Sequence, residues 1–263
     1  MKELKDRVAL VTGASRGIGR YIAEALAREG VHLIIAARDG DALDSLAGVL
    51  RSRYKVQILP VATDLAQRAQ IDQLLERSKA VFNEIDILVN NAALERSEHF
   101  WESDPHQTAL DLEVNVHAPL YLSRRLLPGM LWRNRGHIVN LASLAGLGAN
   151  AYGESYITSK HAIVGFTRAL RASLAAQGSS VSASSVCPGF VTDVGMFARK
   201  QAANGVDAPG LLGSSTPTSV ARAVIKAIRT DKAELIVNPM PVRPLLVIAL
   251  LWPALGAWLS RIS

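Results

Sequence analysis

Tyr156-Ile-Thr-Ser-Lys160 sets a phenol and an amine four residues apart, a spacing that puts both on one face of a helix. A free phenol titrates near pH 10 and is a poor acid–base group at neutrality. An ammonium at about 4 Å, with an effective dielectric near 20, favours the phenolate by about 4 kcal/mol. That is roughly three pKa units, so the pair predicts a tyrosine able to exchange a proton near neutral pH. The same spacing also occurs on solvated helix faces, so the neighbours decide. Ser143 follows the apolar run His137 to Leu141, and its hydroxyl can hold a carbonyl oxygen beside the phenol. Asn115 lies in a helical stretch, from which it can tie Lys160 to solvent through water. Asn90 and Asn91 end another apolar run, where amides can satisfy neighbouring backbone and line a cofactor wall.

A second constellation is Thr12-Gly-Ala-Ser-Arg-Gly-Ile-Gly19, between an apolar run and a helical pattern. Gly13, Gly17 and Gly19 let the backbone turn and approach a pyrophosphate, and a helix N-terminus offers it unpaired N–H groups. Three residues separate the first two glycines, unlike the usual G-x-G-x-x-G. Arg16 lies in this loop and Arg38 follows the second apolar run, where an acidic residue would hold the ribose of NAD. Two guanidinium groups there favour a 2′-phosphate, so NADP(H) is expected over NAD(H). Asp39 is either a competing ribose ligand or a helix cap.

These groups need a scaffold that delivers strand ends to one crevice. Apolar runs at 8–12, 31–36, 56–61, 87–90, 137–141, 181–186 and 235–237 alternate with helical patterns at 21–29, 41–50, 71–82, 155–174 and 220–228, and two more helical stretches cross 110–132. Continuous apolar runs suit strands buried on both faces. The alternation predicts an α/β chain with a doubly wound parallel sheet, Rossmann-like, as one domain over 1–263. Segment 190–217 is rich in Gly, Ala and Ser and long for a connection, and an apolar helical tail covers 244–260.

Taken together these motifs resemble the short-chain dehydrogenase/reductase family over nearly the whole chain to about Val237. The resemblance implies cofactor contacts from Gly13, Ser15, Arg16, Gly17, Ile18, Gly19, Arg38, Asp64, Leu65, Asn91, Ala92, Tyr156, Lys160, Pro188, Gly189, Val191 and Thr192. Asp64 matches the adenine-contacting aspartate, and Asn90 to Ala93 match Asn-Asn-Ala-Gly with Ala93 in place of the glycine. Asn115, Ser143, Tyr156 and Lys160 match the catalytic tetrad, and the thirteen positions from Ser143 to Tyr156 are the family's usual spacing. The implied reaction is hydride transfer between the nicotinamide and a carbonyl or alcohol. Tyr156 donates the proton on reduction, Lys160 lowers its pKa, Ser143 polarises the carbonyl and Asn115 maintains a relay. The family also implies a mobile lid at 190–217 and a homodimer or homotetramer. The alternatives are a lipid-directed 3-oxoacyl or hydroxysteroid oxidoreductase, and a non-catalytic NADP(H)-binding regulatory protein.

Composition bounds the remaining classes. The 263 residues are 49% apolar and 20% charged, which excludes disorder and supports a large core. Cys187 is the only cysteine, so an intramolecular disulfide framework or a Cys-rich zinc site is excluded. His117, His137 and His161 have no partner at metal-ligand spacing, are read as structural or surface residues, and no metal is expected. The start lacks an apolar leader, which predicts a cytoplasmic protein. The net charge is +6, but the basic residues are scattered, so no nucleic-acid partner is expected. Loops at 94–101, 144–153 and 190–212 carry Leu94, Phe100, Trp101, Leu144, Leu147, Phe190, Val194, Met196 and Phe197, which predicts a hydrophobic carbonyl substrate. The tail's sixteen apolar residues at 244–259 would span about 24 Å as a helix, short of a bilayer crossing. Packing on a subunit or over the pocket is the favoured reading of the tail, and peripheral membrane contact is the alternative.

Overall fold

Val8-Ala-Leu-Val-Thr12 forms β1, buried at every position. Its side chains alternate between two apolar layers, Ala9 and Val11 on one and Leu10 on the other, as the period of a strand requires. The computed structural model describes residues 1–96, 99–148, 153–205, 213–252 and 254, with the side chains of 200, 203 and 204 outside that description. Strands β2 (His32–Ala37), β3 (Ile58–Ala62), β4 (Ile87–Asn90), β5 (His137–Leu141) and β6 (Ser182–Pro188) follow in the chain. After them come β7 (Phe190–Val191), β8 (Ser214–Ser215) and β9 (Glu234–Val237). Seven of these make one sheet in the order β3-β2-β1-β4-β5-β6-β9, and β7 pairs with β8 apart from it. Every pairing in the large sheet is parallel.

Helices α1 (Ile18–Arg28), α2 (Gly40–Tyr54) and α8 (Pro217–Thr230) cover one face with Ile22, Leu26, Leu43, Val224 and Ile228. Helices α3 (Arg68–Phe82), α5 (Ala118–Trp132) and α6 (Glu154–Ala176) cover the other with Leu74, Leu122 and Leu174. The single Rossmann-like α/β domain is therefore as expected. The strand order reverses between β1 and β4, so the loops leaving them diverge and open a crevice at the carboxyl ends of the strands.

Several boundaries differ for local reasons. The second strand begins at His32 rather than 31, and α3 begins at Arg68. The helical stretch at 110–132 starts earlier, as α4 (Pro105–Leu112), because Asp104 caps it by accepting the His106 N–H and proline suits its first turn. A π-helical turn, Glu113–His117, then joins α4 to α5. Within 190–217 the chain forms α7 (Gly195–Asn204), a helix the small-residue composition did not announce, and residues 206–212 of that expected lid lie outside the described residues. Of the tail, α9 (Arg243–Leu251) is a helix, and 253 and 255–260 lie outside the described residues.

Polar residues in the sheet are paired across layers. Asn90 and Asn140 face each other on β4 and β5. The Asn90 amide donates to Asn140 Oδ1 at 2.8 Å, and Asn140 Nδ2 donates to Thr167 Oγ1 on α6 at 2.8 Å. At the opposite end of β5, buried His137 meets Ser184 Oγ at 2.8 Å through Nε2. Ser184 donates its own proton to the Lys232 carbonyl at 2.6 Å, so His137 carries its proton on Nε2. Burial pushes the His137 pKa down to about 4. The unfolded chain binds this proton near pH 6.5, so between about 6.5 and 4 it holds more protons than the fold and stability falls as pH falls. The shift corresponds to about 3 kcal/mol once pH is below 4. Urea unfolding between pH 7 and 4 should show this loss, and His137→Gln should flatten it; an unchanged pH slope in the variant would refute the assignment.

Candidate active site

Lys160 is a buried charge. It is 3% exposed, and its Nζ donates to the Leu141 carbonyl at the end of β5 at 2.8 Å. Burial lowers its pKa to about 8, with Cys187 and Glu95 acting to raise it. The ammonium lies 5.4 Å from the centre of the Tyr156 ring, one helical turn earlier on α6 as the spacing requires. The Ser143 hydroxyl lies near enough to the Tyr156 phenol to act against the rise in its pKa. Ser143 Oγ also accepts the Ala145 N–H at 3.1 Å and reaches the Pro188 carbonyl at 3.5 Å. Thus Ser143, Tyr156 and Lys160 converge at the carboxyl ends of β5 and β6.

The electrostatics correct one expectation. The Tyr156 pKa is not lowered by Lys160 but raised, first by burial and then by the Glu95 carboxylate, with only the Ser143 hydroxyl opposing. A fall of three units needs the ammonium beside the phenol oxygen. In the structure the ammonium bonds a carbonyl instead, and removing the phenolate from water costs more than the neighbouring charge returns. The phenol is therefore a proton carrier at neutral pH.

Asn115 is buried in the π-helical turn. Its Oδ1 accepts the Leu94 N–H at 2.7 Å, and its Nδ2 donates to the Leu94 carbonyl at 2.8 Å and to Ser159 Oγ at 3.1 Å. Its amide thus clamps the loop after β4 to α6; no direct bond runs from it to Lys160 among the described residues. The next residues of that loop are anchored too, since Arg96 pairs with buried Asp111 at 3.2 Å.

The dinucleotide loop is built around Thr12. Its hydroxyl accepts N–H groups from Asn91 at 3.0 Å and Ala92 at 3.1 Å. The Asn91 amide returns bonds to the Thr12 and Gly13 carbonyls at 2.8 and 3.2 Å. Gly13 sits at φ 67° and Gly17 at φ 61°, the left-handed region that favours glycine. A Cβ on Gly19 would stand 2.2 Å from the Gly13 carbonyl oxygen, so the loop closes only with glycine there. Gly17 caps α1 without any side-chain bond, and no acidic residue enters the first turn, leaving N–H groups directed at the crevice. Ser15 and Ile18 flank this turn half-buried. Arg16 and Arg38 are exposed with no carboxylate partner among the described residues. Asp39 accepts the Ala42 N–H at 3.0 Å, which makes it the cap of α2. These residues fit a dinucleotide.

Asp64 shapes the turn after β3 by accepting the Ala66 N–H at 3.0 Å, with Leu65 buried behind it. Pro188 ends β6, Gly189 donates to the Val237 carbonyl at 3.0 Å, and Thr192 donates its N–H to the Ser215 carbonyl at 3.1 Å beside buried Val191. A Cβ on Gly189 would fall 2.4 Å from Asn238 Oδ1. Phe190 and Phe197 stack edge to face at 4.9 Å, so two of the residues expected to line the substrate pocket pack on each other. Trp101 is exposed and stacks on His99 at 4.8 Å. His117 does have an acidic partner, Glu113 Oε2 at 2.7 Å, correcting the reading that it had none. No group of three metal-binding side chains occurs among the described residues.

Sequence reasoning missed three contributors. Thr12 was seen only as the first residue of a glycine motif. A lone amide within the apolar run of β5 was a sign that Asn140 needs a buried partner, but nothing in the sequence pointed to Thr167. Nothing marked Glu95 as the carboxylate acting on Tyr156 and Lys160.

The chain matches the family profile described as short chain dehydrogenase over residues 7–205. It is 36% identical over 242 residues to the ketoacyl reductase HetN of Nostoc sp., covering 92% of this chain and 82% of the relative. A short-chain dehydrogenase/reductase from Burkholderia phymatum, solved with NAD, superposes with a TM-score of 0.81 at 29% identity, covering 95% of this chain and 93% of the other. L-Sorbose reductase from Gluconobacter frateurii, solved with NADPH and L-sorbose, gives a TM-score of 0.83 at 26% identity, covering 92% of this chain and 99% of the other.

The Thr12 junction gives a direct test. Thr12→Val leaves two backbone N–H groups without their acceptor, at about 1–3 kcal/mol each, whereas Thr12→Ser keeps the hydroxyl. Chemical denaturation should show Thr12→Val well below both wild type and Thr12→Ser; equal midpoints for the two variants would contradict the bonding described.

Proposed function

The chain belongs to the short-chain dehydrogenase family and is an oxidoreductase, and on that premise we propose that it reduces a hydrophobic carbonyl compound with NADPH. The observation that carries this reading is the Ser143–Tyr156–Lys160 cluster, in which a protonated phenol is held beside a second hydroxyl and a buried ammonium. The dinucleotide supplies or accepts the hydride when bound. Tyr156, neutral at pH 7, donates its proton to the substrate oxygen. Ser143 shares that oxygen and orients it. Lys160 would hold the ribose of the nicotinamide half, and the proton that Tyr156 gives up is returned to the phenolate from solvent. Asn115 fixes the wall formed by Leu94 and, through Ser159, stands next to the turn of α6 from which a proton relay would leave.

Arg16 and Arg38 support the preference for the 2′-phosphate, since neither has a carboxylate partner among the described residues and Asp39, the acid beside Arg38, is spent on capping α2. A substrate lid at 190–217, whose residues 206–212 lie outside the described residues, belongs to the same reading. Half-buried Leu94, Val194 and Met196 support an apolar substrate. A 3-oxoacyl substrate is the second reading, favoured by the similarity to a ketoacyl reductase. A purely regulatory dinucleotide-binding role is disfavoured because it has no use for the proton donor. We place the enzyme in the cytoplasm as a homodimer or homotetramer; no described helix is long and apolar enough to cross a membrane.

Tyr156→Phe should lose nearly all turnover of a ketone panel yet still quench on binding NADPH; near wild-type turnover would overturn the assignment. Arg38→Asp should shift kcat/KM from NADPH towards NADH by at least tenfold, and an unchanged ratio would remove Arg38 from cofactor selection. The ammonium of Lys160 is present below about pH 8, so kcat/KM for reduction should fall as pH rises through about 8. A profile flat to pH 10 would show that its charge is not used.

A further inference from the structure

The loop that follows Ser143 meets two helices. Its Gly146 lies against α6, where a Cβ would stand 2.7 Å from the Lys160 carbonyl oxygen and 3.0 Å from Val164 Cγ2. Leu147 packs against the cluster of Ile163, Val164 and Cys187. Gly148 lies against α9 instead, where a Cβ would stand 3.2 Å from Leu246 Cδ2. Leu246 is half-buried on a helix whose Leu250 is 79% exposed, so this contact marks the inward side of α9.

The segment that leads into α9 touches the neighbouring loop as well. After β6, a Cβ on Gly189 would collide with Asn238 Oδ1 and stand 3.1 Å from Leu144 Cδ1. Leu144 is the residue after Ser143, and Ser143 Oγ reaches the Pro188 carbonyl at 3.5 Å. The loops after β5 and β6 thus meet beside the reacting hydroxyl, with Asn238 at their contact. Pro239 does the same at Gly213, where a Cβ would stand 2.7 Å from its Cγ. The entry to α9 is itself fixed. Val242 is buried, and Asn238 Nδ2 donates to the Met240 carbonyl at 3.1 Å. Arg243 donates to one oxygen of Glu234 at 3.0 Å, and the other accepts from Arg168 on α6 at 2.7 Å. A segment tied down at this many points passes displacement on to the loops packed against it.

We propose that residues 238–246 form a wall of the substrate site, and that Leu246, bearing on Gly148, sets how bulky a carbonyl compound the loop after Ser143 admits. The inference rests on the carbonyl-reductase reading above. Leu246 is a positioning residue, acting through the loop and not on the substrate. Gly148 lies outside the left-handed region, so its backbone accepts alanine, and the added methyl presses the loop away from α9 and narrows the site. Trimming Leu246 lets the loop relax towards α9 and widens it.

Full-length Gly148→Ala, Leu246→Ala and the double variant are assayed with NADPH on methyl ketones from butanone to acetylnaphthalene, and amide hydrogen exchange over 141–148 is followed in the same proteins. Leu246→Ala should raise kcat/KM for the bulkiest ketone relative to butanone about tenfold, through KM rather than kcat, and should speed exchange in the loop. Gly148→Ala should move the ratio about tenfold the other way. The double variant should return to within about twofold of wild type, because the two changes meet at one contact. Leu250→Ala, on the exposed side of α9, should change neither measurement. An unchanged ratio in both single variants overturns the inference, whether or not the thermal midpoint falls. So does an equal effect of Leu250→Ala and Leu246→Ala. If the wild type reduces no ketone, the carbonyl-reductase reading fails and exchange alone decides the wall. Faster exchange over 141–148 in Leu246→Ala then upholds it, and unchanged exchange overturns it.

Discussion

A buried ammonium holds the site together. An amine removed from water must find an acceptor or lose its proton, and Lys160 finds the carbonyl that ends β5. That single bond sets the height of α6 against the sheet, and Asn140 bonding Thr167 two turns further on sets it again. With both contacts made, Tyr156 is delivered to Ser143 and Ser159 to Asn115. The geometry of the reacting groups is therefore a consequence of satisfying polar atoms inside an apolar sandwich, where an unmade bond is costly.

The same principle organises the dinucleotide side. The hydroxyl of Thr12 ties the end of β4 to the end of β1, while Asn91 closes the loop from the other side. The crevice between β1 and β4 is thus braced at its root and open at its rim, where uncapped α1 and two arginines meet it. Rigid support below and unpaired donors above are what a charged, extended ligand requires.

Much of this was legible in the residues. Five-residue apolar runs such as Val8–Thr12 and His137–Leu141 could be little other than buried strands, and their alternation with helical patterns fixed the layering. The four groups around Tyr156 were recognisable by type and spacing. What spacing does not contain is the direction of a side-chain bond. Lys160 turns to a carbonyl rather than to the phenol oxygen, and this reversed the expected titration of Tyr156. Asn115 likewise spends its amide on Leu94 and Ser159. Helix α7 is made largely of good helix formers, Met196, Ala198, Arg199, Gln201 and Ala202, but the Gly, Ser and Pro residues on either side of it masked the pattern.

The widened turn at Glu113–His117 has a bearing on how such a chain tolerates change in length. Regular α-helix advances each side chain by about 100°, so a π turn accommodates one residue more than the straight path would. Asn115 faces inward because that surplus residue is present, while Tyr121 and Arg125 downstream still reach Asp72 on α3. Removing one residue here would leave a longer, more regular helix and still rotate either the amide or the Asp72 contacts out of place. Helical content would rise as the enzyme lost its clamp, so in this segment an indel that looks harmless by secondary structure is the harmful kind.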